Sequence, residues 1–405
     1  MHILFLTDNF PPEGNAPATR TFEHAKIWVE QGHKVTVITC APNFPEGKVY
    51  EGYSNKLYQK EFVNDIEVRR VKTYITANEG FFKRSLDYVS FMFSAFFAGL
   101  FVKKPDVVVA TSPQFFCCCA GWALSAVRRK PFVFELRDIW PASIQAVGAS
   151  KSSKLIGALE KIEMFLYRRA DLIVSVTESF KTELVNRGIE SEKIKVVLNG
   201  VDLEKYTPRE KDKDLVSKHQ LGDKFVVAYI GTHGMAHALE TILDAAEAML
   251  DNEEVVFLFA GGGAKAESIA HQAVERKLNN VLVLGRQEKE AMPAIWSICD
   301  VSLIHLRNTP LFSKVIPSKI FESMAMGLPM VIGLPKGEAT NIIAQNDVGV
   351  VVEPEDSSQI VLAIDKLRQD ESRLLECQRN CLFAAEKYDR KRLAVNMLDN
   401  IVDII

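Results

Sequence analysis

The sequence predicts an α/β protein made of two parallel sheets, each covered by helices. Three observations carry that prediction. Short apolar runs recur along the 405 residues, each followed by a stretch with helical spacing. One densely charged segment, 208–224, interrupts the alternation and reads as a surface connector. Glycines follow successive strands of the second half, where open α/β sheets bind ligands at their carboxyl edge. The length exceeds one ordinary domain, so we expect a doubly wound unit over 1–205, a second over 206–385, and a last helix over 386–405 that packs back on the first.

The first unit opens as a βαβ element. Ile3 to Leu6 is a buried strand, the turn Asn9 to Pro17 leads into a helix with Phe22, Ala25 and Val29 on one face, and Gly32 stops it before the strand Val35 to Ile38. The loop PPEGNAPATR places Gly14, Asn15 and Arg20 at the helix entrance, where backbone N–H groups and a guanidinium can meet a phosphate or a sugar. It is not a GxGxxG, so it does not specify a dinucleotide. Ile66 to Val71 reads as an added strand. From Tyr88 to Val102 there is no charge, a run short of the ~20 apolar residues that span a bilayer. Two readings fit 81–102: a buried helix, or an interfacial helix whose aromatics dip into a membrane between Lys83, Arg84, Lys103 and Lys104.

Strands follow at Val107 to Ala110, Phe132 to Leu136, Leu172 to Val176 and Lys195 to Leu198, and Asn199-Gly200-Val201-Asp202 is expected to close this sheet. Glu135, Arg137 and Asp138 lie at one strand's carboxyl end, before Trp140-Pro141, and point Asp138 towards chemistry. Thr177-Glu178-Ser179 reads as a helix cap with an acidic first turn. Asp212-Lys213-Asp214 has the spacing of a metal-holding pair, but it sits in the charge run without a strand before it, and we expect no metal there.

The second series runs Phe225 to Ile230, Val255 to Ala260, Val281 to Leu284, Val301 to His305 and Met330 to Ile332. Gly231 and Thr232 follow its first strand, Gly262 its second, and Gly285 with Arg286 its third. A fourth strand leads to PSKIFESMAMGLP, residues 317–329. There Pro317 and Ser318 open a helix that Ser318 can cap, Lys319 and Glu322 share a face, and Gly327 and Pro329 stop it. Taken locally, Glu322 either complements the helix dipole or holds a ligand.

Composition narrows the classes. Hydrophobic content of 47% and charged content of 25% are those of a soluble globular chain, and a net charge of −3 gives nucleic acid no electrostatic handle. The seven cysteines lack paired Cys-x-x-Cys spacing with histidines and read as reduced, packed thiols of a cytosolic protein. The start, MHILFLTDNFPPEG, lacks a basic lead and a small-residue cleavage site, so secretion is not expected.

Together, PSKIFESMAMGLP, the Gly14 loop, ELRDIWP at 135–141, Asn199-Gly200-Val201-Asp202 and the second-half glycines resemble the retaining glycosyltransferases of family 4. The resemblance is nearest to the branch that builds bacterial surface polysaccharides, including L-fucosamine transferases of O-antigen clusters. It implies a GT-B fold, two Rossmann-like domains facing a cleft, the acceptor mostly on the first and the nucleotide-sugar donor mostly on the second, with no metal and no cofactor. It implies transfer of a sugar such as N-acetyl-L-fucosamine or another N-acetylamino sugar from a UDP-sugar to an undecaprenyl-diphosphate-linked saccharide. The protein would then be cytoplasmic and peripheral on the inner face of a bacterial membrane, through 81–102. In this reading Glu322 binds the ribose, Ser318 and Lys319 lie near the diphosphate, the Arg286 backbone meets the base and Gly14 approaches the donor phosphate. Asp138 orients the acceptor or acts as a base.

Three departures stand out. Lys314 occupies the place of a glutamate separated from Glu322 by seven intervening residues, Arg137 that of a histidine, and the usual Arg and Lys pair is absent from Gly231 to Leu239. The diphosphate charge is then left to Lys319, Lys314 or Arg307 and to backbone N–H groups. A GT-B nucleotide-sugar epimerase is the alternative, followed by an NAD-dependent oxidoreductase, which lacks its N-terminal fingerprint here.

Overall fold

The computed structural model describes residues 1–44, 46–76, 81–112, 114–139 and 153–405. Trp140 and Pro141, the end of the ELRDIWP segment, lie outside them. The chain divides into two compact units, Met1–Leu198 with Arg390–Ile405, and Asn199–Asp389.

Unit 1 begins with β1 (His2–Leu6), α1 (Ala16–Glu30) and β2 (Lys34–Cys40). A hairpin of β3 (Tyr58–Val63) and β4 (Ile66–Val71) leads to α2 (Phe81–Leu100). Then come β5 (Val107–Thr111), α3 (Phe115–Arg128), β6 (Phe132–Leu136), α4 (Ser153–Arg169), β7 (Leu172–Ser175), α5 (Glu178–Asn186) and β8 (Ile194–Val196). The sheet runs β3-β4-β2-β1-β5-β6-β7-β8. All its described pairings are parallel except β3 with β4.

The inner strands are continuous apolar runs because helices cover both faces. β1, β5 and β6 are buried at every position, whereas β3 alternates exposed and half-buried residues, as an edge strand with one wet face must. That alternation, YQKEFV, carries no buried run, and the strand was not among those expected. One face of the sheet packs Phe91, Ala95 and Ala98 of α2 with Leu124 of α3 and Leu166 of α4. The other packs Ala25 and Trp28 of α1 against the last helix.

Unit 2 comprises α6 (Lys213–Lys218), β9 (Phe225–Ile230), α7 (Glu240–Ala248), β10 (Val255–Ala260), α8 (Ala266–Glu275) and β11 (Val281–Gly285). These are followed by α9 (Met292–Ser297), β12 (Val301–His305), α10 (Lys319–Ala325), β13 (Met330–Gly333) and α11 (Glu338–Asn346). β14 (Gly349–Val352), α12 (Ser357–Gln369) and α13 (Glu371–Ala385) complete it. Its sheet is parallel throughout, in the order β11-β10-β9-β12-β13-β14. β14 is a further edge strand beyond those expected; it opens on Gly349, whose φ of +159° and missing side chain let the backbone lie close to Met330.

The chain's last helix, α14 (Arg390–Val402), belongs to unit 1. It buries Ala394, Met397, Leu398 and Ile401, and the Trp28 indole donates to the Ala394 carbonyl at 2.8 Å. Residues 199–202 do not close the first sheet. Val201 bridges Asp389 in unit 2, with the Val201 N–H on the Tyr388 carbonyl at 3.0 Å, so the two ends of unit 2 lie side by side.

Each sheet has one point where strand order reverses: β1 lies between β2 and β5, and β9 between β10 and β12. At such a point the crossover helices leave to opposite faces, and a crevice opens beyond the strands' carboxyl ends.

Candidate active site

In unit 2 the reversal point is fed by the loop after β9 and by α10. α10 is seven residues long, and Ser318 does not cap it. Ser318 already has helical φ and ψ of −60° and −27°, and its side chain makes no capping bond. The first turn closes through the Pro317 and Ser318 carbonyls instead. The short turn therefore acts mainly by placing two side chains.

The first is Lys319. Its ammonium is buried without a hydrogen-bond partner and rests 3.8 Å from the centre of the Tyr229 ring, a cation–π contact. A Cβ at Gly231 would stand 3.0 Å from that nitrogen, and the Gly231 φ of +135° suits glycine, so this position keeps the space above the lysine open. Burial pulls the Lys319 pKa down to about 7, against the support of Glu322. The second is Glu322, half-buried, whose carboxyl is pushed up to about 7 by burial despite Lys319, Lys289 and Lys205. Lys289, from the loop after β11, and Lys205 are themselves lowered, first by burial, and both feel Glu322. Tyr206 lies in the same field. Lys319, Lys289 and Lys205 face Glu322, with Asp202 and Glu290 in the same field, so the cluster is close to balanced in charge; its lysines can meet a diphosphate and Glu322 can accept from hydroxyls.

Where the resemblance leads one to look for an arginine and a lysine, the β9 loop carries His233 and His237. The His233 ring is buried between Tyr229 and Phe259 with neither nitrogen partnered, and burial with the Lys319 charge lowers its pKa to about 4. His237 is lowered to about 4 by the same causes. His305, at the end of β12, accepts from the Glu355 N–H at 2.9 Å through Nε2, so its Nδ1 carries the proton donated to the His237 carbonyl at 2.8 Å. It ties the β9 and β14 loops together.

The remaining expected residues of unit 2 are spread wider. Thr232 is exposed, and its carbonyl accepts from the Tyr229 hydroxyl at 2.7 Å. Gly262 lies against the Arg286 side chain, 3.4 Å from a Cβ placed on the glycine. Gly285 has φ of +67°, and Arg286 beyond it is exposed. Lys314 ends a 3-10 turn, half-buried, and Pro317 is half-buried at the start of α10. Arg307 holds the Met235 carbonyl at 2.6 Å and so braces the β9 loop. Asp212 caps α6 through the Leu215 N–H at 3.0 Å.

In unit 1 two of the expected residues are engaged by the fold. Arg20 is buried in an ion pair with Glu135 at 2.8 Å and donates to the Leu198 and Val197 carbonyls at 2.7 and 3.0 Å. Asn15 caps α1 with its side-chain oxygen on the Ala18 N–H at 2.9 Å, so that oxygen serves the fold. Gly14 beside it is exposed, and a Cβ there would meet nothing within 4 Å.

Arg137 sits inside the polar cluster with Glu135 and Arg20. Its Nη1 is buried without a partner, and its pKa is lowered to about 10 by burial, partly offset by Glu135. Burial works against the Glu135 charge, but Arg20 and Arg137 hold its carboxyl below the usual range. Asp138 is half-buried in the turn after β6, its N–H on Ser112 Oγ at 3.3 Å. Thr177 caps α5 through the Phe180 N–H at 3.0 Å. Among the described residues, no group of three His, Cys, Asp or Glu is arranged to hold a metal ion.

Residues 18–205 match the family described as Glycosyltransferase Family 4, and residues 210–382 the one described as Glycosyl transferases group 1. The chain is a glycosyltransferase of the family 4 type.

This glycosyltransferase is 26% identical over 378 residues to WcaI of Escherichia coli (strain K12), named as a colanic acid biosynthesis glycosyl transferase, covering 90% of this chain and 91% of that one. It is 26% identical over 241 residues to the glycosyltransferase WbjE of Pseudomonas aeruginosa, covering 58% and 59% of the two chains. Among solved structures it resembles Anabaena HepE in complex with UDP, with a TM-score of 0.75 and 18% identity over the whole of both chains. Sucrose-phosphate synthase of Thermosynechococcus elongatus gives 0.78 and 15%, covering 100% of this chain and 98% of that one. These likenesses give the fold as GT-B.

The glycosyltransferase's Lys319 and Glu322 were legible as a pair three residues apart on one turn. Lys205, Tyr206, Lys289, Tyr229 and His237 were not singled out, because they come to α10 from a strand and loops distant in sequence. The one local signal for the histidines was their spacing of four after a glycine-marked strand end.

Proposed function

We propose that this glycosyltransferase is a retaining, metal-independent enzyme of bacterial surface-polysaccharide synthesis. It takes a sugar, of the N-acetyl-L-fucosamine or another N-acetylamino class, from a UDP-sugar and passes it to an undecaprenyl-diphosphate-linked saccharide. The observation that carries the donor half is the buried, unpartnered Lys319 ammonium beside Glu322 at the reversal point of unit 2. A buried ammonium with no hydrogen-bond partner is stabilised by an arriving anion that accepts from it. The polysaccharide setting is supported by the name of WcaI, and the UDP donor by HepE, which has been solved with UDP and with UDP-glucose.

The chemistry then follows from the leaving group. As the bond between the sugar's anomeric carbon and the diphosphate breaks, negative charge grows on the phosphate oxygens. Lys319, with Lys289 and Lys205, stabilises that charge more than it stabilises the intact donor. Glu322 accepts from the ribose hydroxyls and fixes the nucleotide. In the retaining course the acceptor oxygen attacks from the side the diphosphate leaves, its proton passing to a phosphate oxygen, with Asp138 orienting the acceptor.

The membrane half rests on α2. Phe91, Ala95 and Ala98 turn inward, while Leu86, Phe93 and Phe97, with Phe101 after the helix, are 44%, 55%, 58% and 77% exposed. Arg128, Arg129 and Lys130 close α3, and Lys103 and Lys104 follow α2. An apolar aromatic row with cationic ends suits an anionic inner leaflet. No described helix is long and apolar enough to cross a membrane. Flotation with anionic liposomes tests this: the wild type should float, and Phe93→Ser with Phe97→Ser should stay at the bottom. Equal recovery with neutral and anionic vesicles would count against an electrostatic anchor.

The reaction itself is tested by incubation with UDP-sugars alone and then with a lipid-linked acceptor. Transfer only when acceptor is present, with the donor's anomeric configuration kept in the product NMR spectrum and with full rate in EDTA, is the expected result. An epimerised UDP-sugar formed without acceptor would replace this reading by an epimerase.

A further inference from the structure

His305, the last residue of β12, takes no direct part in sugar transfer, yet its place in unit 2 is shaped to it. The side chain is fully buried, and its ring fills the space that Gly333 of β13 leaves: a Cβ there would stand 2.6 Å from the imidazole. The Glu355 N–H can only donate, so Nε2 must accept, and the proton on Nδ1 goes to the His237 carbonyl. Burial lowers the His305 pKa, with Lys319 adding to the fall, against the pull of the His237 carbonyl and the Glu355 charge. The ring is therefore neutral and held in one tautomer.

That proton helps to hold the turn Met235–His237, between β9 and α7. All three carbonyls of the turn are fixed by residues at or just after the end of β12. Arg307 Nε donates to Met235 at 2.6 Å, the Arg307 N–H to Ala236 at 2.8 Å, and His305 Nδ1 to His237 at 2.8 Å. The peptide after His237 leads into Ala238, buried at φ +43° and ψ +51°, a left-handed conformation that alanine keeps only where its surroundings impose it. The His237 ring stands edge-on to Tyr229, with centroids 6.0 Å and planes 71° apart, and the Tyr229 ring is the seat of the Lys319 ammonium at 3.8 Å.

Of the three carbonyl bonds, the one from His305 adjoins the strained residue. Without it the peptide between His237 and Ala238 can relax, the His237 ring leaves Tyr229, and the seat of the lysine loosens. We propose that His305 is a positioning residue for donor binding: through the His237 carbonyl it sets the turn that backs Tyr229 and Lys319. The proposal rests on the donor reading of Lys319 above and adds to it a residue one layer behind the ammonium.

The two bonds of the imidazole can be separated by substitution. In His305→Asn the amide nitrogen takes the place of Nδ1 and can still donate to His237, while the Glu355 N–H loses its acceptor. In His305→Gln the amide oxygen takes the place of Nε2 and accepts from Glu355, leaving the His237 carbonyl unheld. Calorimetric titration of the full-length protein with UDP is expected to give a Kd within about twofold of the wild type for His305→Asn and at least about fivefold weaker for His305→Gln. Each variant loses one buried bond, so their melting temperatures without UDP should fall alike, and a role in stability alone would move both affinities alike. Equal affinities in the two variants, or weaker binding in His305→Asn, overturn the proposal. If either variant fails to melt cooperatively, the wild type labelled with 15N-histidine decides. Its long-range 1H–15N spectrum should show a neutral ring protonated at Nδ1 that shifts when UDP binds, and the absence of any such ring overturns the proposal. Failure of the donor reading looks different: no nucleoside diphosphate or nucleotide sugar raises the Tm of the wild type, and the role of His305 falls with it.

Discussion

At the scale of single residues, charge placement separates ligand groups from scaffold groups. Lys319 must be cationic to hold a diphosphate, and burial brings its pKa to about 7, so in the free protein its charge is lost as pH rises above that value. Glu322 must be anionic to accept from two hydroxyls, and it loses its charge as pH falls below about 7. UDP affinity is therefore expected to peak near neutrality, weakening by up to about tenfold per pH unit on the alkaline side. Calorimetric titration of Lys319→Met should lose the alkaline limb and keep the acid one; an unchanged alkaline limb would remove Lys319 from the anion site. Arg20 gives the opposite expectation. It stands just inside a loop that invites a phosphate, but its partner Glu135 lies 115 residues away, a pairing local reading cannot see. Removing one member of a buried pair strands the other, so Arg20→Met should cost about 3–5 kcal/mol in denaturant unfolding. Its UDP-induced shift in Tm should stay near that of the wild type, whereas a lost shift with normal stability would return Arg20 to the ligand.

At the scale of elements, the strands were legible wherever helices cover both sheet faces, because a doubly buried strand must be a continuous apolar run. β3 and β14 escaped for the converse reason: they are edges, half wet, and β14 begins on a glycine chosen for close backbone approach. α2 was legible as apolar but not as two-faced. Only the packing of Phe91 and Ala95 inward, against exposed Phe93 and Phe97, separates core from surface. The site loops were legible through their glycines, and those glycines differ in what they do. A Cβ at Gly231 would press on the mobile end of Lys319. A Cβ at Gly261 would overlap the Gly231 carbonyl, at a φ of +148°. Gly261→Ala is thus expected to cost at least about 2 kcal/mol and to displace the β9 loop. Its thermal melt should show the loss, with the UDP-induced shift reduced alongside it. A melt unchanged within a degree or so, on the order of 0.3 kcal/mol, would mean the two loops are not packed as described.

At the scale of the whole chain, the first unit is finished by the last helix. α14 lies beside α1, with Trp28 donating to Ala394 across 366 residues of sequence and Arg390 paired with Glu23. It also puts Met397, Leu398 and Ile401 into the core that holds Phe5, Val37 and Val107. Three large apolar side chains at about 1.5–3 kcal/mol each come to roughly 5–9 kcal/mol. That is comparable to the whole stability of a typical domain, about 5–15 kcal/mol. Unit 2, in contrast, has its own closed core from Val227 to Cys377, and its two ends are joined by the Val201–Asp389 bridge. A chain ending at Asp389 is therefore expected to lose the cooperative transition of unit 1 in calorimetry while unit 2 still melts and is still raised by UDP. Transfer to acceptor should be abolished although the nucleotide binds. Two intact transitions in the shortened protein would mean that α14 merely rests on unit 1. The expected outcome means that, during synthesis, the first unit to leave the ribosome stays incomplete until the second has been made and the chain has returned to α1.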